Sequence, residues 1–192
     1  MVVLHGASSR GAAYADVVAA AERRGLRAAA PDLLGHGSLR GRPLDGAILE
    51  HVRGSWAPGD ALIGHSFGGY LALQLAAEEP AVSAVVAFAP TADELVLERF
   101  RSWDAVVDED SLEAFVRSRK THAAVARIRC PVLYVHARDD DRIPLAHVER
   151  LHELTPRSEL VVLESGGHSG PPHDPSVQEL ALDWLEGRIS GA

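Results

Sequence analysis

The segment Leu62-Ile-Gly64-His-Ser66-Phe-Gly68-Gly69-Tyr70 reads as a strand, a G-x-S-x-G turn and the start of a helix. A serine on so sharp a turn occupies a crowded backbone region, and Gly64 and Gly68 remove neighbouring Cβ atoms that would collide there. The turn exposes the Ser66 hydroxyl. The helix start leaves unpaired N–H groups, that of Phe67 among them, aimed where a negative oxygen forms when a carbonyl is attacked. A serine becomes a nucleophile only when a base takes its proton, and a carboxylate must hold that base in one tautomer. Both kinds of group follow downstream: Arg138-Asp139-Asp140-Asp141-Arg-Ile-Pro144 after one apolar run, and Glu164-Ser-Gly166-Gly167-His168 after the next. If those runs are parallel strands, carboxylate and histidine arrive at the carboxyl edge of one sheet, where ligands of open sheets bind. Ser66, Asp140 and His168 then stand in the order serine, acid, histidine. His173 is close enough to be a second candidate base.

Other chemistries find little support. The single cysteine, Cys130, excludes an internal disulfide and a cysteine-based zinc cluster, and it precedes the apolar run from Pro131, where a thiol packs as a small hydrophobe. Of the other histidines, His5 and His36 sit in loops and suit backbone hydrogen bonding, while His65 flanks the serine. His51, His122, His136, His147 and His152 have no metal-ligand spacing. No metal and no cofactor is expected. A net charge of −8 with scattered arginines gives no basic stripe for nucleic acid. No apolar run approaches the about 20 residues needed to span a bilayer, and no secretory signal opens the chain, so a cytoplasmic protein without a membrane partner is expected.

The elements that must position these groups alternate between strand and helix patterns over 192 residues, which predicts one α/β domain, a three-layer sandwich around a mostly parallel sheet. Strands are expected at 1–5, 26–30, 61–63, 82–89, 131–137 and 158–164, about six in all. Tyr14, Val17, Val18 and Ala21 mark one helix, stopped at Gly25, and 70–79 a second, stopped by Pro80. Pro144 opens a helix burying Leu145, Val148 and Leu151. Asp174-Pro175 starts the last helix, with Val177, Leu180, Ala181, Trp184 and Leu185 inward and Gly187 beyond its end. The stretch from Arg40 to Pro58 is the least legible. Between residues 91 and 126 two helices follow one another with no strand, with apparent capping boxes at Thr91–Glu94 and Asp110–Glu113. Their stripes are Val96, Phe100, Trp103, Val107 and Leu112, Phe115, Val116.

Taken together, the motifs resemble those of the α/β-hydrolase superfamily on its esterase-like side: Val3-Leu4-His5-Gly6, Pro31-Asp32-Leu-Leu-Gly35-His36-Gly37, Gly64-His-Ser66-Phe-Gly68-Gly69, Ala137-Arg-Asp-Asp140 up to Pro144, and Gly166-Gly167-His168. The resemblance covers essentially the whole chain. It implies a serine hydrolase in which Ser66 attacks an acyl carbonyl, His168 accepts and returns the proton, and Asp140 orients His168. The N–H groups of Ala7 and Phe67 would hold the oxyanion. Asp140 has the family spacing to Pro144; Asp141 is the alternative in register, and Asp93 lies where some members keep the acid.

The chain departs from the family in two ways. The strand ending in His-Gly begins at residue 1, so the family's two opening strands are expected to be missing. The strand at 26–30 would then be an edge, and a homodimer through that edge is one way to cover it. The helical insertion at 91–126 occupies the family's cap position but is short, which implies an open, shallow acyl pocket lined by Phe67, Phe100, Trp103 and Phe115. A small or medium ester, thioester or lactone is the implied substrate. A carbon–carbon bond hydrolase or thioesterase with the same triad, and a non-catalytic small-molecule-binding protein on this fold, are the other readings. A nucleotide-binding fold is disfavoured, since the first strand leads into His5-Gly-Ala-Ser-Ser-Arg10 and not G-x-G-x-x-G.

Overall fold

The computed structural model describes residues 1–189. In chain order the elements are β1 (Val2–Leu4), α1 (Ala15–Arg23), α2 (Ile48–Arg53), β2 (Leu62–His65), α3 (Phe67–Glu78), β3 (Val85–Phe88) and α4 (Asp93–Arg99). Then come α5 (Glu109–Arg117), α6 (Thr121–Val125), β4 (Val132–Ala137), α7 (Leu145–Leu154), β5 (Ser158–Leu163) and α8 (Pro175–Ile189). The five strands form one parallel sheet in the order β1-β2-β3-β4-β5, with Val2 opposite Leu62, Leu62 opposite Val85 and Val85 opposite Val132.

Side chains on successive strand positions point to opposite faces, and both faces are covered. Val2, Leu4, Leu62, Val85, Val132 and Tyr134 enter one core, which α2 through α7 close. Val3, Ile63, Val86, Phe88, Leu133 and Val135 enter the other, against α1 and α8. This is the three-layer α/β architecture the alternation predicts. Helix α3 carries no apolar stripe because Phe67 to Ala76 are buried without interruption, as in a helix enclosed on all sides. Packing that helix across β1, β2 and β3 is what fixes Ser66 at its start.

The sheet has five strands where about six were expected, and the missing one is 26–30. That segment does run beside β1: Val3 N–H donates to Ala29 C=O at 2.8 Å and Ala29 N–H to Met1 C=O at 3.2 Å, a single parallel bridge. The next bond of such a ladder would come from the N–H of residue 31, and Pro31 has none. Pairing stops after one bridge.

Smaller departures have local causes. Helix α2 falls in the illegible stretch, six residues long, with Ile48, Leu49 and Val52 buried. The cap of α5 is Asp108, whose carboxylate accepts the Ser111 N–H at 3.1 Å, and Ala92, without a capping side chain, precedes α4. Helix α8 runs through Gly187, and Leu180 on its outer side is 38% exposed. Among the described residues no helix is long and apolar enough to cross a membrane.

Candidate active site

Ser66 sits between β2 and α3 with φ +54° and ψ −113°, a conformation that costs a non-glycine residue about 1–3 kcal/mol. The surroundings hold it there. Its N–H donates to Phe88 C=O at 2.9 Å, and its carbonyl accepts from Tyr70 at 3.0 Å and Thr91 at 3.2 Å. A Cβ at Gly64 would come within 2.4 Å of Gly68 O, and one at Gly68 within 2.1 Å of Leu4 O. Gly68 therefore lets the first turn of α3 lie directly against the end of β1, which carries the loop with Ala7. Neither the Phe67 nor the Ala7 N–H has a protein acceptor among the described residues.

The candidate acid and base arrive from the ends of β4 and β5. His168 Nδ1 lies 2.9 Å from Asp140 Oδ2, while Asp140 Oδ1 accepts the N–H groups of Arg142 at 2.8 Å and Ile143 at 2.9 Å. With Nδ1 donating to the carboxylate, Nε2 is left as the acceptor, the tautomer a general base needs. The Asp140 carboxylate is fully buried, and burial works to raise its pKa; the bonds from His168, Ile143 and Arg142 outweigh this and hold it below the usual carboxylate range. Asp139 accepts Gly167 N–H at 2.8 Å and Gly166 N–H at 3.3 Å, which pins the loop bearing His168. Both glycines have positive φ, +139° and +60°.

The other candidate acids are placed elsewhere. Asp141 is exposed, and Asp93 accepts Thr121 N–H at 2.9 Å and pairs with Lys120 at 3.2 Å, tying α4 to α6. His173 reaches the cavity but pairs with Asp16 at 3.0 Å. Cys130 is buried, which pushes its thiol up to about 11, out of the nucleophile range. Among the described residues no group of three or more His, Cys, Asp or Glu side chains is arranged to hold a metal.

Ser66 and His168 share the wall of a cavity of about 580 Å³, without a hydrogen bond between them. Such bonds are often long without substrate and tighten on binding. The cavity differs from the apolar, aromatic pocket expected. Phe67, Phe100 and Phe115 belong to the core, and Trp103 alone of those aromatics lines the cavity, its ring 4.8 Å from that of Phe67. Helical phase explains the shift. Val96 and Phe100, four apart, face the core, so Leu95 and Arg99, one position earlier on the same spacing, face the cavity. The rest of the wall is largely polar, including Ser8, Ser9, Thr91, Ser102 and Arg142.

One arrangement had no signal in the spacing of motifs. His65, beside the nucleophile, is buried and joins three loops. Its Nδ1 is 2.6 Å from the Tyr14 hydroxyl, and its Nε2 is 2.9 Å from the carbonyl oxygen of His168. The Tyr14 hydroxyl in turn accepts Gly6 N–H at 3.4 Å. Since Nε2 must donate to a carbonyl, Nδ1 is the acceptor and Tyr14 the donor. Burial, with a smaller contribution from His168, pushes His65 down to about 3, and burial pushes Tyr14 up to about 12. The polarity of the bridge is thus fixed throughout the range between those values. His5 plays a similar part, with Nδ1 donating to Gly6 C=O at 2.8 Å and Nε2 accepting Leu33 N–H at 2.9 Å.

A strand, a strained serine, a helix, and an acid and histidine at the ends of β4 and β5 define a class, and comparison with known proteins agrees. The alpha/beta hydrolase family model matches residues 1–117 and the prolyl oligopeptidase family model residues 60–191. The chain belongs to the alpha/beta hydrolase superfamily. Among curated relatives, RutD of Pseudomonas savastanoi pv. phaseolicola, which carries the name of a carbamate hydrolase, is 41% identical over 64 residues, 33% of this chain and 25% of that protein. The pyrethroid hydrolase of Sphingobium wenxiniae is 39% identical over 87 residues, 42% of this chain and 31% of that protein. The matched segments thus span about a quarter to a third of those relatives. Est1E of Butyrivibrio proteoclasticus, solved with ferulic acid bound, superposes with a TM-score of 0.81 at 18% identity, over 98% of this chain and 88% of that one. That likeness concerns the fold.

Proposed function

We propose that this chain is a serine hydrolase that cleaves a small or medium carboxylic ester, thioester or lactone through an acyl-enzyme, with Ser66 as nucleophile, His168 as general base and acid, and Asp140 as its orienting carboxylate. The observation that carries the reading is the 2.9 Å bond from His168 Nδ1 to a buried Asp140, on a cavity wall shared with the strained Ser66. In the first half-reaction Ser66 Oγ bonds to the acyl carbon as its proton passes to His168 Nε2. The Phe67 and Ala7 N–H groups receive the oxyanion, and the proton then goes to the leaving oxygen or sulfur. Water, deprotonated by the same nitrogen, releases the acid and restores Ser66. Each oxyanion donor is worth about 100- to 1,000-fold in rate. The hydrolase names of the curated relatives support acyl chemistry, and the small cavity supports a small substrate.

The test is intact-mass labelling with a fluorophosphonate on wild type, Ser66→Ala and His168→Ala, beside turnover of p-nitrophenyl acetate and butyrate. One adduct on wild type, absent from both variants, with ester turnover is expected. A folded wild type that takes no adduct and turns over neither ester overturns the reading and leaves a binding protein on a hydrolase fold.

A further inference from the structure

Two arginines line the cavity, and among the described residues neither has an acid partner. Arg99 comes from the last turn of α4, and Arg142 from the loop that carries Asp140. The two are joined, since Arg99 Nη1 donates to Arg142 C=O at 2.7 Å, and Arg142 N–H donates to Asp140 Oδ1 at 2.8 Å. The second bond registers the Arg142 backbone against the catalytic acid itself. Only one of the five N–H donors of Arg99 is used in this tie.

Acids outnumber bases in this chain, 27 to 19, and arginines elsewhere gather them. Arg24 pairs with Glu179, Asp183 and Glu186, Arg53 with Glu50, Glu78 and Glu79, and Arg101 with Glu109 and Glu113. Other arginines, among them Arg27, Arg127, Arg129 and Arg157, also lack an acid partner among the described residues, but they lie outside the cavity that holds Ser66. Arg99 and Arg142 differ in lining the same cavity as Ser66, with the Ser9 hydroxyl as a further polar group on that wall. A net charge of −8 repels an anion at long range, so an anionic substrate entering this cavity needs local cations. The planar guanidinium fork matches a carboxylate with two parallel bonds.

We infer that Arg99 and Arg142 form an anion subsite beside Ser66, and that the substrate carries a carboxylate close to the bond that is cleaved. This rests on the hydrolase reading for the cleavage step, although the binding it claims is measurable without turnover. Monoethyl succinate and the neutral diethyl succinate differ at the relevant group, as do acetoxyacetate and its methyl ester. The first pair places the charge on the acyl side, the second on the leaving-group side.

In wild type, kcat/KM for the charged member of at least one pair is expected to exceed that of its neutral partner. That preference should fall roughly 10- to 100-fold in Arg99→Gln and in Arg142→Gln, the range expected for losing a charge-assisted hydrogen bond. Arg142→Lys should restore part of it, and raising the salt concentration should erode it in wild type. Calorimetry of monoethyl succinate and acetoxyacetate against Ser66→Ala, with and without each arginine substitution, supplies the second readout. Thermal melts of each variant verify folding. A wild type that binds and cleaves the neutral esters at least as well as the charged ones, or folded arginine variants that keep the preference, overturns the subsite. If no ester is cleaved but Ser66→Ala binds a charged probe through the arginines, the subsite stands and the hydrolase reading falls.

Discussion

Removing the Tyr14 hydroxyl tests whether the bridge through His65 holds the site together. The hydroxyl donates to His65 Nδ1 at 2.6 Å and accepts Gly6 N–H at 3.4 Å, in a side chain 3% exposed. In Tyr14→Phe both partners lose that bond, at a buried point on the cavity wall. A buried polar atom without a partner costs about 1–3 kcal/mol; the longer Gly6 bond contributes about 1, and His65, which borders the cavity, about 1–2, so the loss is about 2–3 kcal/mol. For a domain of this size each kcal/mol moves Tm by about 2–4 °C, which puts the expected drop at about 4–12 °C.

The assay is thermal denaturation at neutral pH, where His65 is uncharged and Tyr14 protonated, in a double-mutant cycle of Tyr14→Phe with His65→Asn. Because the two side chains meet directly, a coupling of at least about 1 kcal/mol is expected. Turnover should fall as well, since His65 also fixes the carbonyl of His168, while KM for a small ester should change less. A Tm for Tyr14→Phe within about 1 °C of wild type, with no coupling in the cycle, refutes the reasoning: it would mean the bridge contributes neither stability nor position.

Asp140→Asn should lower kcat by about 1,000- to 10,000-fold with little change in KM, because the amide no longer fixes the His168 tautomer. The Asp140 pKa is depressed in the fold, so its contribution to stability is complete above the ordinary value of about 3.9 and is lost as pH falls through the folded value; denaturant titrations should find a flatter acid limb in Asp140→Asn. Phe100→Ala should cost about 3–5 kcal/mol as a core deletion, whereas Trp103→Ala, on the cavity wall, should shift KM with a smaller loss of Tm. Ser66→Gly should abolish fluorophosphonate labelling yet raise Tm, because glycine accepts φ +54° and ψ −113° without the strain that serine stores, about 1–3 kcal/mol.

Those effects separate what local pattern specifies from what three-dimensional phase decides. The strand-turn-helix at Ser66 was legible because its residues answer a local demand: a Cβ at Gly64 or Gly68 would meet a backbone oxygen within 2.4 Å, so the steric reason and the motif coincide. The parallel sheet was legible for a similar reason, since near-continuous apolar runs such as Val132–Ala137 suit strands covered on both faces. Where a reading failed, a non-local partner chose between two locally equal answers. Local spacing alone does not choose between the Val96-Phe100 and Leu95-Arg99 faces, and packing of α4 against α5 and the core decides which one is buried. That choice turns an aromatic acyl pocket into one carrying an arginine. The run at 26–30 falls where the alternation calls for a strand, but its ladder ends where β1 would next need a donor and meets Pro31. The bridge from Tyr14 through His65 to His168 joins residues 51 and 103 positions apart, so no spacing rule could reveal it. It links the loops that carry Ser66, His168 and Ala7, the proposed nucleophile, base and oxyanion donor, through one neutral histidine, which makes their alignment a property of the folded chain as a whole.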